Sequence, residues 1–335
     1  MDKESFEQLI TSLRDHNIHE LLLSGNGPEN YYMDAEQLQE FCDLVGGLNV
    51  LENLWIEDFQ LGHQVNPANS SLELDPEGRS IYIVMLMLHN LSNLKSLVLN
   101  NNWFNDEDLE VICSALLHKD NLERLVLARC VGGVKSNAMI AKLIANAPAL
   151  KHLVIDIDSS AENYMLIFDA LSKNKTLVEF TAERHLPSDV LSGLAKNIHN
   201  TALEKLELEV VLDENALKNL ATLINSGKLS ALKIKFVDRF TKDGGALTQT
   251  QIDEQIAPLI AALARRDSLS FNLDISGLGP KWTTQDLWNK ALQSKKEASK
   301  QEGRNEKNDE QNIETKTDSD EDEDEDEDED KKHGM

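Results

Sequence analysis

The chain has 335 residues, 41% of them apolar, and a net charge of -26. Residues 300–335 hold 17 Asp/Glu against 6 Lys/Arg and the preceding residues 42 against 27, so both parts are acidic and binding to a phosphate backbone is disfavoured. Cys42, Cys113 and Cys130 are odd in number and share no CxxC spacing, which fits a reducing, cytoplasmic setting better than a disulfide framework. The first residues, MDKESF, show no basic region followed by an apolar stretch. The longest apolar run, Ile81 to Leu88, is eight residues, too short to span a bilayer.

In chain order, residues 1–16 read as a helix covering one end of a core. Strands follow at 18–23 (IHELLL) and 51–56 (LENLWI). A loop-rich insertion is placed at Asp58 to Leu74. Then one phrase recurs: LKSLVL at 94–99, LERLVL at 122–127, LKHLVI at 150–155 and LEKLEL at 203–208. Its central apolar residues are Leu97, Leu125, Leu153, Phe180, Leu206 and Leu232, giving steps of 28, 28, 27, 26 and 26. Between these strands run helical faces such as Leu109, Ile112, Leu116 and Leu217, Leu220, Ile224. Asn105, Ser136, Ser160, Ser188 and Asp213 precede these faces as candidate N-caps. A second insertion is placed at Val237 to Thr250, a late strand at 271–275 (FNLDI), and a closing helix over 284–294. From Lys295 onward Ile313 is the last apolar residue before the terminal Met335, so nothing there offsets the entropy of folding. The expected organisation is a repeat domain over 1–296 and a disordered acidic tail over 297–335.

A period of 26–28 residues opening on LxxLxL, with a strand and a full helix in each unit, marks an α/β leucine-rich repeat solenoid: a parallel concave sheet backed by convex helices. Asn26, Asn102 and Cys130 stand five residues past the central leucine, where such repeats place Asn or Cys. Asp158, His185, Val211 and Val237 depart from that pattern, and looser turns are expected there.

With the leucines inward, the residues between them face solvent and stack into columns ~4.8 Å apart. The middle column reads Leu22, Trp55, Val98, Val126, Val154, Thr181, Glu207, Lys233, Asp274. On one side lie Ser24, Glu57, Asn100, Ala128, Asp156, Glu183, Glu209, Lys235 and Ser276, and on the other Glu20 through Asn272. The candidate contact surface therefore has two parts. Leu22, Trp55, Val98, Val126 and Val154 form an apolar stripe anchored by Trp55, and Asp156, Glu179, Glu183, Glu207 and Glu209 form an acidic cluster suited to a partner protein with a basic patch. The competing reading is that valines are good strand formers and that the insertion after Ile56 folds over Trp55.

Other chemistry is not indicated. Calcium needs several converging oxygens, whereas Asp156, Glu183 and Glu209 splay apart on a flat sheet with no loop carbonyls nearby. Cys130 and His152 sit in adjacent repeats but six residues apart along the strand direction, roughly 20 Å and far outside hydrogen-bond reach. Phosphate-loop, dinucleotide, zincin and nucleophile-elbow motifs do not occur in the sequence. No cofactor, metal or small-molecule substrate is expected, and no enzymatic activity.

The segment LKSLVLNNNWF at 94–104, followed by Leu109, Ile112 and Leu116, resembles the ribonuclease-inhibitor type of leucine-rich repeat over about residues 18 to 276. The resemblance implies a rigid horseshoe that grips another protein, sometimes blocking its active site. Irregular repeats, Asn/Lys usage and a terminal acid block ending DKKHGM resemble leucine-rich-repeat effectors of Legionella-like bacteria. That resemblance implies a carboxy-terminal type IV secretion signal and delivery into a host cytosol. LSGN at 23–26 together with the acidic tail is similar to Ran GTPase-activating proteins, which implies GTPase activation as the alternative function.

Overall fold

The computed structural model describes residues 3–14, 17–25, 33–59, 61, 79–158, 161–213, 215–239, 248–266, 269–274, 285–297 and 300. Nine parallel strands pair in sequential order in one sheet. They are β1 (Glu20–Ser24), β2 (Asn53–Glu57), β3 (Ser96–Asn100), β4 (Arg124–Val131), β5 (His152–Asp158), β6 (Glu179–Leu186), β7 (Lys205–Leu212), β8 (Ala231–Arg239) and β9 (Ser270–Asp274). Every crossover carries a helix: α2 (Ala35–Gly46), α3 (Arg79–Asn90), α4 (Asp106–Leu116), α5 (Val134–Asn146), α6 (Ala161–Lys173), α7 (Asp189–Asn197), α8 (Ala216–Asn225) and α9 (Gln249–Ala264). α1 (Lys3–Arg14) precedes the sheet and α10 (285–297) follows it, both at the expected ends. This is a leucine-rich repeat solenoid.

The central positions register in one row: Leu21, Leu54, Leu97, Leu125, Leu153, Phe180, Leu206, Leu232 and Phe271. All but Phe271 are buried, in a core continuous with the inner faces of the helices. The ninth strand corrects the sequence reading. Phe271, not Leu273, occupies the central position, so Asn272 and not Asp274 continues the middle column, and Asp274 belongs beside Lys235. A shift of two keeps inward and outward faces intact, so alternation alone does not detect it. Ser276 and Ile275 lie outside the described residues.

The turn chemistry separates early from late repeats. Asn102 is fully buried, its Nδ2 donating to the Ile56 carbonyl at 2.8 Å while its Oδ1 accepts from Phe59 N–H at 3.2 Å. The chain turns there, with Asn101 and Trp103 at positive φ. Cys130, at the equivalent place, is buried with its thiol on the Ala128 carbonyl at 3.5 Å. At Cys130, and where Asp158, Val211 and Val237 stand in place of Asn, the strands run on through the position instead of loosening, β4 reaching Val131. β1 to β3 have five residues each, whereas β7 has eight and β8 nine. Without an amide side chain to occupy the neighbouring carbonyl, main-chain pairing continues.

Neighbouring helices are tied end to end. The Asn105 cap forms as expected, its side chain accepting from Asp108 N–H at 2.9 Å. α5 is different: Ser136 is not its cap, because the helix begins two residues earlier, and Asp106 of the preceding repeat accepts from Ser136 N–H at 2.8 Å. A Cβ on Gly133 would lie 2.6 Å from Asp106 Oδ2, so this close approach needs glycine. Ser188 precedes α7 but makes no side-chain cap; its hydroxyl donates to Asp213, which also accepts from Asn215 N–H ahead of α8. At the other helix ends, buried Lys119 donates to the His89 and Leu91 carbonyls at 2.7 and 2.9 Å, and Arg266 donates to the Leu229 carbonyl at 2.6 Å. Ser160 lies outside the described residues, as do most of the insertion at 58–74 and the chain beyond residue 300.

Candidate functional site

The three outward columns form one face of the sheet, which no described helix covers. In the middle column Leu22, Trp55, Val98, Val126 and Val154 register in succession, followed by Thr181, Glu207 and Lys233. The stripe is not uniformly exposed, which corrects the sequence reading. Leu22 is 59% and Trp55 36% exposed, but Val98 and Val126 are buried at 3% and 8% and Val154 is half-buried. Short β-branched side chains in adjacent strands cover one another, and the longer Trp55, Arg124 and Arg129 rise around them.

Val98, Val126 and Ala128 thus make a small apolar cluster, with Val154 packed against it, separate from the main core. It is the floor of a depression of about 330 Å³. Trp55 and Asn100 stand on the β2–β3 side, Asp156 and Glu183 on the β5–β6 side, and Arg124 and Arg129 at the two ends of the β4 segment. The Trp55 indole N–H donates to Glu57 at 3.2 Å, and the Asn100 amide donates to the same carboxylate. This fixes the ring while leaving its face open. Phe59 and Leu61, two of the three described residues of the insertion at 58–74, join the main core, with Leu61 N–H on the Asn102 carbonyl at 3.2 Å.

Arg129 has φ 55°, in the left-handed region, as do Asp58 and Asn101 at the equivalent steps of the two preceding repeats. Its N–H donates to Asp156 at 3.2 Å. This backbone kink carries the Arg129 side chain onto the rim, where a regular alternation would not place it. Column position pointed to Arg124, Asn100 and Ala128 as surface residues, but nothing in the sequence marked the kink at Arg129.

The acidic cluster is largely neutralised, which is a second correction. Glu209 pairs with Lys235 at 2.6 Å, Glu207 with Lys233, and Glu179 with His152 at 3.2 Å and Lys205 at 3.8 Å. The signal was present in the columns, where each lysine follows its glutamate on the next strand. Among the described residues Glu183 has no cation within ion-pair distance. Partial desolvation first, and then the charges of Asp156, Glu207 and Glu209, hold its carboxyl above the usual carboxylate range, with Lys233 opposing them.

Groups of His, Cys, Asp and Glu able to hold a metal ion do not occur among the described residues. Cys130 registers with Ile157 and His152 with Arg124, which keeps that thiol and imidazole at opposite ends of the strands. Burial pushes the Cys42 and Cys113 thiols up to about 12, far from thiolate chemistry at neutral pH. No described helix is long and apolar enough to cross a membrane.

No protein-family model matches the chain, and no curated protein does. Among solved structures it is similar to an internalin (inlF) from Listeria monocytogenes str. 4b F2365, at 15% identity over 81% of this chain and 95% of that one, with a TM-score of 0.32. A likeness at that level carries no functional argument, and the repeat architecture rests on the nine-stranded sheet itself.

Proposed function

We propose that the protein is a non-enzymatic binding module of the ribonuclease-inhibitor type that grips a partner protein on the outward face of its sheet. In this reading it acts as a bacterial secreted effector or as an inhibitor of another effector. The observation that carries the reading is the apolar cluster of Val98, Val126 and Ala128, which lies on the sheet face that no described helix covers and is bordered by an open tryptophan. Apolar floors with an aromatic at the edge supply the anchor pockets of protein interfaces. The residues proposed to touch the partner are Leu22, Trp55, Val154, Asp156 and Glu183, with Val98 and Val126 as floor.

Two experiments test this. Capture by the wild-type chain and by Trp55→Ala, followed by titration of the recovered protein, is expected to give a stoichiometric complex that Trp55→Ala weakens. Accelerated GTP hydrolysis by a small GTPase at catalytic amounts of the chain would replace the reading with GTPase activation. For secretion, deletion of Thr315 to Met335 is expected to stop delivery into host cells. Unchanged delivery would remove the type IV signal from the proposal.

A further inference from the structure

We infer that the depression over β3–β5 takes an extended segment of the partner protein in which an aliphatic side chain lies between an acidic and a basic residue, the acidic one at Arg124 and the basic one at Glu183. This rests on the outward sheet face being the binding face. It follows from which charges the sheet leaves unmatched. Across β6 to β8 the charged side chains pair with their neighbours: Glu179 with Lys205, Glu207 with Lys233, Glu209 with Lys235. Arg124 has no such mate. Its row neighbours are Ser96 and His152, and the latter is engaged with Glu179. Among the described residues its guanidinium makes no ion pair. Glu183, on the opposite corner of the same depression, has carboxylates rather than a paired cation around it, and partial burial first and then those charges hold its carboxyl above the ordinary range.

Arg124, half-buried, and Glu183, exposed at the rim, both border an apolar floor, and a segment seated on that floor excludes water from them, so that a charge-assisted contact contributes more than on open surface. Arg124 and Glu183 lie two strands and two columns apart, roughly 16 Å between their Cα atoms from strand spacing and rise. Four or five residues of extended chain cover that span at about 3.3 Å each. The middle of such a segment falls over Val126 and Val154, which offer only aliphatic contact. A uniformly basic patch fits less well, because Arg124 and Arg129 would face it.

The test is to pan a phage-displayed random heptapeptide library against the full-length chain. Enriched sequences are expected to carry an acid and a base three to five residues apart with an aliphatic residue between them. Against Arg124→Glu the acidic preference should invert to basic. Against Glu183→Lys the basic preference should invert to acidic. Melting temperatures check that both variants fold, and Arg124→Gln and Glu183→Gln serve if they do not, with the matching preference lost and affinity about tenfold lower. Absence of enrichment, or identical sequences on wild type and Arg124→Glu, overturns the inference. Peptides lost on Trp55→Ala but without charge order overturn it and leave the binding face standing. Peptides indifferent to every substitution on this face overturn both.

Discussion

Replacing Asn102 by Ala removes the buried side chain that closes the turn between the second and third repeats. Its amide makes two buried contacts, donating to the Ile56 carbonyl at 2.8 Å and accepting from Phe59 N–H at 3.2 Å, and it is fully buried. Alanine leaves both main-chain groups without a partner. Each unsatisfied buried group costs about 1–3 kcal/mol, and with partial relaxation the sum is roughly 2–4 kcal/mol. Asn102→Asp keeps the acceptor but loses the donor and places a charge against a carbonyl, so it should cost at least as much despite its equal size. Asn101→Gly, one residue earlier at φ 54°, loses only the contact with Asp58 and relieves a left-handed backbone, and should stay within about 1 kcal/mol of wild type. The assay is equilibrium unfolding in urea, with hydrogen exchange to locate the loss in β2 and β3. A cost below about 1 kcal/mol for Asn102→Ala, or equal costs at 101 and 102, would refute the view that this side chain holds the turn.

Asp106 should make stability pH-dependent. Burial alone would raise its pKa, but the hydrogen bonds from Ser136, Lys135 and Gly133 outweigh that and lower it. Its contribution is therefore full above the ordinary carboxylate range and lost as pH falls through the native-state value. The stability difference between wild type and Asp106→Asn should be flat near neutrality and shrink in acid; a difference that grows in acid contradicts the capping role. Leu97→Ala, in the core, should cost about 2–5 kcal/mol in denaturant unfolding, whereas Trp55→Ala should leave the melting temperature nearly unchanged while weakening partner binding roughly 30-fold. If Trp55→Ala destabilises the fold and spares binding, the ring is a structural lid. Truncation after Glu297, at the end of α10, should shift the melting temperature by no more than about 2 °C, because the acidic tail carries almost no apolar area; a larger loss means that the tail docks.

Period and phrase placed eight of the nine strands in register, because LxxLxL couples a spacing near 27 residues to a fixed inward face. The ninth slipped by two, since Phe271 and Leu273 are both apolar and both point inward. Column order also foretold which residues meet: Glu207 beside Lys233 and Glu209 beside Lys235. Their mutual neutralisation follows from that order, since each lysine stands one strand beyond its glutamate in the same column. What the columns did not disclose is burial. Val98 and Trp55 are adjacent in the same column, yet one is covered and the other open, because covering depends on how far Arg124, Arg129 and the indole reach across the sheet. Arg129 entered the site through a left-handed backbone step that its type does not signal.

The most direct measurement of the binding face is site-specific photo-crosslinking in cells. A photoreactive phenylalanine analogue replaces either Trp55, on the outward sheet face, or Tyr82, 54% exposed on helix α3 of the opposite layer. The account predicts a discrete protein adduct from position 55 that position 82 does not give. An adduct from position 82 with none from position 55 would contradict it.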